Sequence, residues 1–142
     1  MASAIQFFNE QVQFRPTSTV KLKSWIKTVI ISEKKSPGEI NYIFCSDAYL
    51  AALNQQYLQH DTLTDIITFD NSETADSIDG DIYISVERIR ENALKFETSF
   101  ESELHRVMVH GVLHLVGYTD KTELQKSAMR KKEDAYLSLR TF

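Results

Sequence analysis

His110 and His114 stand four residues apart in the most apolar helical stretch of the chain, which carries Leu104, Val107, Met108 and Val112. Four residues advance a helix by about one turn and 40°, so both imidazoles can reach one cation from the same face. Gly117 follows three residues later, where it can end the helix and turn the chain back. Asp120 comes three residues after that. A helix with two nitrogen donors, a turn and an acid on the returning strand make a three-ligand set suited to zinc.

The same residues also admit a purely structural reading. Two histidines on a half-buried helix can be hydrogen-bonded core residues. Asp120, with Glu123 three residues on, fits an N-cap for the last helix. A carboxylate has two oxygens, so capping and metal binding are compatible, and both stay open for Asp120. The full spacing of His, His, Gly and acid is that of the metzincin zinc motif, which favours the ion. That motif places a glutamate general base after the first histidine. Here the residue is Gly111, which counts against peptide hydrolysis by that route.

Other candidates are weaker. His105 lies about 140° around the helix from His110 and cannot share its ion, so a packing or surface role is expected. His60 sits in the polar stretch QHDTLTD and receives no role from its surroundings. Cys45 ends an apolar strand with no second cysteine in the chain, and reads as a core residue. Asp70, Glu73, Asp76, Asp79 and Asp81 lack the spacing of a calcium-binding loop and read as a solvated loop. No glycine-rich phosphate loop is present.

These side chains must be held by a fold. Ile5 to Phe8 suggests an edge strand, and Leu22, Ile26, Val29 and Ile30 recur at helical spacing before a turn expected at Pro37-Gly38. Ile40 to Cys45 reads as a strand, and Ser46 or Asp47 as the cap of a helix carrying Leu50, Leu53, Tyr57 and Leu58. Ile66 to Phe69 is expected as a second core strand, Asp70 to Asp79 as a mobile polar loop, and Asp81 to Val86 as a third strand. Ser85 and Glu87 open a helix through Leu94. Thr98 and Glu101 have capping-box spacing for the histidine helix, and a last helix spans about Thr122 to Leu139. The fold class expected is α+β: a small mixed sheet of three to four strands packed by about five helices, with the metal site on a helix and the turn after it.

The 142 residues suit a single domain over 1–142, with one core. A hydrophobic fraction of 42% with 25% charged residues excludes a disordered chain. The net charge of −4 argues against a surface that coats nucleic acid throughout, though not against a local basic patch. Arg130, Lys131 and Lys132 form one such run, and Arg88, Arg90 and Lys95 a looser one. A single cysteine, no secretory leader and no apolar run of about 18 residues together imply a cytoplasmic protein without a membrane span.

The segment HGVLHLVGYTD, His110 to Asp120, resembles the signature H-G-x-L-H-L-x-G-Y-D-H of the YbeY family of bacterial metal-dependent endoribonucleases. Asn54 to Tyr57 with Asp61, then Thr64 to Phe69, then Gly80 to Ser85 follow in the family's order, so the likeness runs from about Ile40 to Gly117. The resemblance implies a single-strand-specific endoribonuclease with one Zn²⁺ in a cleft, acting on rRNA of the small ribosomal subunit. Maturation of the 16S rRNA 3′ end and ribosome quality control are the implied processes. It further implies that His110, His114 and Asp120 hold the ion, which would activate water or stabilise the phosphorane.

Two positions depart from the family. Asp120 stands where the third ligand is usually histidine, which adds a harder oxygen donor and makes Mn²⁺ a better competitor. Leu58 stands where an arginine follows the tyrosine in many members, leaving Arg88, Arg106 or Arg130 to contact phosphate. Asp65 and His60 are candidates for the general base by position alone. Two other readings remain open: a metal-dependent hydrolase of another substrate such as peptides, and a non-catalytic ribosome-associated factor with a structural zinc.

Overall fold

The computed structural model describes residues 4–58 and 64–142, the Leu58 side chain excepted. Within them lie four strands, β1 (Ala4–Glu10), β2 (Ser36–Cys45), β3 (Ile66–Asp70) and β4 (Ser77–Ser85). Five α-helices accompany them: α1 (Thr19–Ser32), α2 (Asp47–Leu53), α3 (Val86–Lys95), α4 (Phe100–Val116) and α5 (Glu123–Leu137). A π-helical turn, Asn54–Leu58, continues α2. The sheet order is β1-β2-β4-β3, with the first three strands parallel and β3 antiparallel to β4. The α+β expectation holds.

Strand alternation decides which residues meet the helices. Ile40, Tyr42 and Phe44 of β2 and Ile82 and Ile84 of β4 are fully buried in the main core with Leu22, Ile26, Met108 and Val112. Each such side chain contributes roughly 1.5–3 kcal/mol by leaving water. Tyr42 is held by a bond from its hydroxyl to the Met108 carbonyl at 2.9 Å, which pins α4 across the sheet. Cys45, Leu50 and Ile67 form a smaller cluster on the opposite face, so Cys45 is the core residue expected.

Several boundaries differ from the sequence expectations. The turn falls at Glu33 to Lys35, where Lys34 has a φ of 64°, and Pro37-Gly38 lies inside β2. The ladder slips between Pro37 and Ile40, so proline's missing N–H falls where the pairing is already irregular. Asp79 stitches that bulge by accepting from the Glu39 amide at 2.7 Å. Hence β4 begins at Ser77, inside the segment expected to be loop. The strand expected at Ile66 to Phe69 extends to Asp70 and lies at the sheet edge, with Ile67 buried in the smaller cluster. Ser99, not Thr98, caps α4, accepting from the Ser102 amide at 3.0 Å. No helix among the described residues is long and apolar enough to cross a membrane.

Candidate metal centre

Helix α4 is the axis of the site. Leu104, Val107, Met108, Val112 and Leu113 bury its sheet-facing side, which aims His110 and His114 sideways from the core toward solvent. A Cβ on Gly111 would meet Ile66 Cδ1 at 2.9 Å and Ile82 Cγ2 at 3.0 Å. The glycine therefore lets α4 lie close against β3 and β4, and a glutamate at this position would have to enter the sheet. Gly117 closes the helix with a φ of 127°, a backbone that favours glycine. The Tyr118 amide returns to the Leu113 carbonyl at 3.0 Å, and the chain then swings back to Asp120.

The three sequence candidates meet. His110 Nε2 and His114 Nε2 lie 2.9 Å apart. Asp120 Oδ2 is 3.3 Å from the first and 3.5 Å from the second. Each ring is fixed through its other nitrogen. His114 Nδ1 donates to the Tyr118 carbonyl at 2.9 Å, and His110 Nδ1 donates to Glu133 Oε2 at 2.6 Å. With the protons on Nδ1, both Nε2 lone pairs face each other and a carboxylate, with no hydrogen between them. Such a convergence of lone pairs suits a cation, and these three residues form a group that could hold a metal ion. Burial opposes charge on His110, but the Glu133 hydrogen bond and charge, with Asp120 and Asp65, outweigh it and raise the ring's proton affinity above the ordinary value.

Glu133 escaped the sequence reading. It is 4% exposed, on α5, and its second oxygen accepts from Arg106 Nη1 at 2.9 Å. Arg106 Nη2 reaches on to Asp134 at 2.6 Å. The available signal was an acid on an apolar stripe, since Met129, Glu133 and Tyr136 share the buried face of α5. The same face adds a second tie. Glu33 at the end of α1 accepts from the Tyr118 hydroxyl at 2.6 Å, from Lys132 Nζ at 2.9 Å and from the Tyr136 hydroxyl.

Asp120 is not the cap of α5. Thr122 fills that role, its side chain accepting from the Gln125 amide at 3.1 Å while Gln125 returns to the Thr122 amide at 3.2 Å. The reason is register: α5 begins at Glu123, two residues too late for Asp120 to reach its first free amides.

His105 is 3% exposed among Trp25 and Phe142, away from the pair, and its Nδ1 accepts from Arg140. It is the packing residue expected. Of the three arginines considered for phosphate, Arg88 is clamped by Asp47 and Glu91, and Arg106 by Glu133 and Asp134. Arg130 has no ion-pair partner within 4 Å among the described residues. His60 and Asp61 lie outside the described residues.

Two clefts meet at this centre. One, of about 410 Å³, opens between α3, α4 and α5; the other, of about 510 Å³, runs along β3 from Thr64 to Thr68 and the turn from Gly117 to Asp120. His110, Asp120, Asp65 and Ile66 line both. Asp65 sits at the junction with its carboxyl raised above the usual range by burial, and Asn92 donates to it at 3.3 Å.

Comparison with known proteins is consistent along nearly the whole chain. A family model described as "Endoribonuclease YbeY" matches residues 5–140. A curated relative of that name from Flavobacterium psychrophilum is 56% identical over 132 residues, covering 93% of this chain and 94% of the relative. Another of that name, from Cytophaga hutchinsonii, is 51% identical over 138 residues, covering 97% and 96%. A solution structure from Thermotoga maritima superposes with a TM-score of 0.66 at 29% identity, covering 95% of this chain and 87% of that one.

Proposed function

The chain belongs to the YbeY endoribonuclease family, and from that premise we propose a single-strand-specific metallo-endoribonuclease domain over residues 1–142. It is an enzyme that cuts RNA at internal phosphodiester bonds, in keeping with the name its relatives carry. Its proposed work is rRNA processing in the cytoplasm, at the 3′ end of the 16S rRNA on the small ribosomal subunit, and in ribosome quality control.

His110, His114 and Asp120 are the proposed ligands, with Zn²⁺ the proposed ion. The observation that carries this is the pairing of both Nδ1 atoms, which turns two Nε2 lone pairs and one carboxylate toward a single point. A bound divalent ion supplies Lewis acidity toward a phosphoryl oxygen or water. The chain's own residues supply the rest. Glu133 and the Tyr118 carbonyl hold the imidazoles in one tautomer. Asp65, which lines both clefts and has its proton affinity raised by burial, is the proposed acceptor of a proton during attack.

A peptidase is not favoured, because Gly111 replaces the expected base and the close approach to Ile66 and Ile82 excludes a longer side chain there. A purely structural zinc is not favoured either. The three side chains are 22%, 26% and 37% exposed where two clefts meet, an open arrangement rather than a closed one.

Elemental analysis and incubation with RNA test the reading together. The purified protein should carry about one divalent ion per chain and cut single-stranded RNA but neither duplex RNA nor unfolded protein. His114→Ala should lose both ion and cleavage at neutral pH. Retention of stoichiometric metal by that variant, or cleavage of protein but not RNA, overturns the assignment.

A further inference from the structure

How an RNA strand is held beside the site is open, because Arg88 and Arg106 are both engaged by carboxylates. The cleft between α3, α4 and α5 is organised from floor to rim. Glu103 and Glu133 are buried on its floor, with His110 and Asp120 at its inner end. The exposed lining is of another kind. Phe96, Lys126 and Arg130 all stand exposed at the mouth.

Phe96 is an aromatic ring 51% exposed to water, which no core requirement explains. Its backbone is fixed all the same: it caps α3, its amide bonding the Asn92 carbonyl at 2.9 Å, and Glu97 turns the chain with a φ of 54°. The ring is therefore presented from a defined position at the cleft wall. Lys95 Nζ lies 5.6 Å from its centroid. Across the cleft, Lys126 and Arg130 are one helical turn apart on α5, which puts both on one face. Lys126 meets only Glu123, at 3.8 Å and largely in solvent, and Arg130 pairs with no carboxylate within 4 Å among the described residues. An exposed ring on one wall and two loosely held cations on the other match the two surfaces of a nucleotide, a flat base and a phosphate.

We propose that this cleft is a subsite for one nucleotide next to the scissile phosphate, its base stacked on Phe96 and its phosphate held by Arg130 and Lys126. The subsite rests on the reading of the chain as an RNA-cutting enzyme. It takes a single-stranded nucleotide, because a base paired in a duplex cannot offer its face to Phe96. It is tolerant of base identity, since every base has a stacking face. A cleft of about 410 Å³ lies within the usual range of small-ligand sites, about 300–1,000 Å³.

The test is a fluorescence-anisotropy titration of a labelled single-stranded RNA, with a chelator present so that the strand stays whole, alongside kcat and KM for cleavage. Phe96→Ala should weaken binding about tenfold and raise KM with little change in kcat, while Phe96→Tyr restores wild-type affinity. An RNA series with one abasic nucleotide moved along the strand supplies the register. At one position the abasic RNA should bind the wild type about tenfold more weakly and bind Phe96→Ala no worse than the intact strand does. Arg130→Ala should reduce the slope of log Kd against log salt by about 0.7, the value of one single-strand phosphate contact. Thermal melts confirm that the exposed substitutions leave the fold intact. If the wild type binds and cuts RNA but Phe96→Ala matches it at every abasic position, the subsite is wrong and the enzyme reading stands. If the wild type neither binds nor cuts RNA, both fall.

Discussion

Helix α4 carries three histidines in two settings, and the contrast shows how neighbours set the chemistry of one residue type. His105, near the start, faces α1 and the C-terminus. It is 3% exposed among Trp25 and Phe142, and burial, followed by the charge of Arg140, lowers its proton affinity to a pKa of about 4. His110, five residues on, faces α5. Burial opposes its charge as well, yet Glu133, Asp120 and Asp65 overcome that and raise it. The first ring is held neutral by burial and, second, by a neighbouring cation, while the second is held ready for a cation by carboxylates.

The largest expected effect separates the two settings by pH. His105 has a folded-state pKa below its ordinary 6.5, so the unfolded chain takes up a proton that the folded chain refuses. Stability from this residue is present above about pH 6.5 and is lost as pH falls from there toward 4, by up to about 3 kcal/mol. Urea unfolding at pH 7.5 and pH 4.5, with a chelator present to remove any contribution of metal, reads this. His105→Gln keeps an acceptor for Arg140 but cannot titrate, so it should flatten the pH dependence relative to the wild type. Parallel pH profiles for the two proteins would mean that His105 is not the neutral packing residue described.

The second effect concerns the other setting. Glu133→Gln removes the negative charge behind His110 while keeping a hydrogen-bond acceptor of the same shape. Metal affinity should fall by about 10–100-fold, the usual cost of an altered partner behind a ligand. Competition with a chromogenic chelator measures it. Unchanged affinity would break the comparison, because a carboxylate would then make no difference to the ring it touches.

How much of this was legible in the sequence follows from the range of each interaction. The His110 and His114 face, the Gly117 turn and the apolar side of α4 are written in spacings of three and four, which local geometry reads directly. So are α1, the core of β2 and the Ser46 and Ser85 caps. Glu133 is 23 residues from the ring it orients, and Glu33 is 85 from Tyr118, so no period links them. Pro37-Gly38 carries the composition of a turn, but pairing with β4 across the bulge overrides it. The edge position of β3 depends on strand order, which apolar runs do not encode.

The smallest effects fall on Asp120, where two roles that looked interchangeable in sequence separate in space. Thr122 is the N-cap of α5, with Gln125 closing the box, and Asp120 faces the two Nε2 atoms instead. Two substitutions should therefore give opposite patterns. Asp120→Asn exchanges a charged oxygen donor for a poorer neutral one, so metal affinity should drop at least about tenfold, or about 1.4 kcal/mol. The metal-free thermal melt should stay where it was, since no cap is lost. Thr122→Ala should leave metal affinity nearly unchanged and cost about 1 kcal/mol of stability, because the Gln125 amide loses its acceptor. Asp120→His supplies a neutral imidazole donor in place of the carboxylate and should retain the ion, so it reports whether any donor suffices or a carboxylate is needed. A shared pattern, in which both substitutions lower the melt and neither alters metal affinity, would return Asp120 to the helix end and leave the two histidines without a third partner. The 3.3 Å and 3.5 Å approaches of its carboxylate to both rings give the opposite expectation.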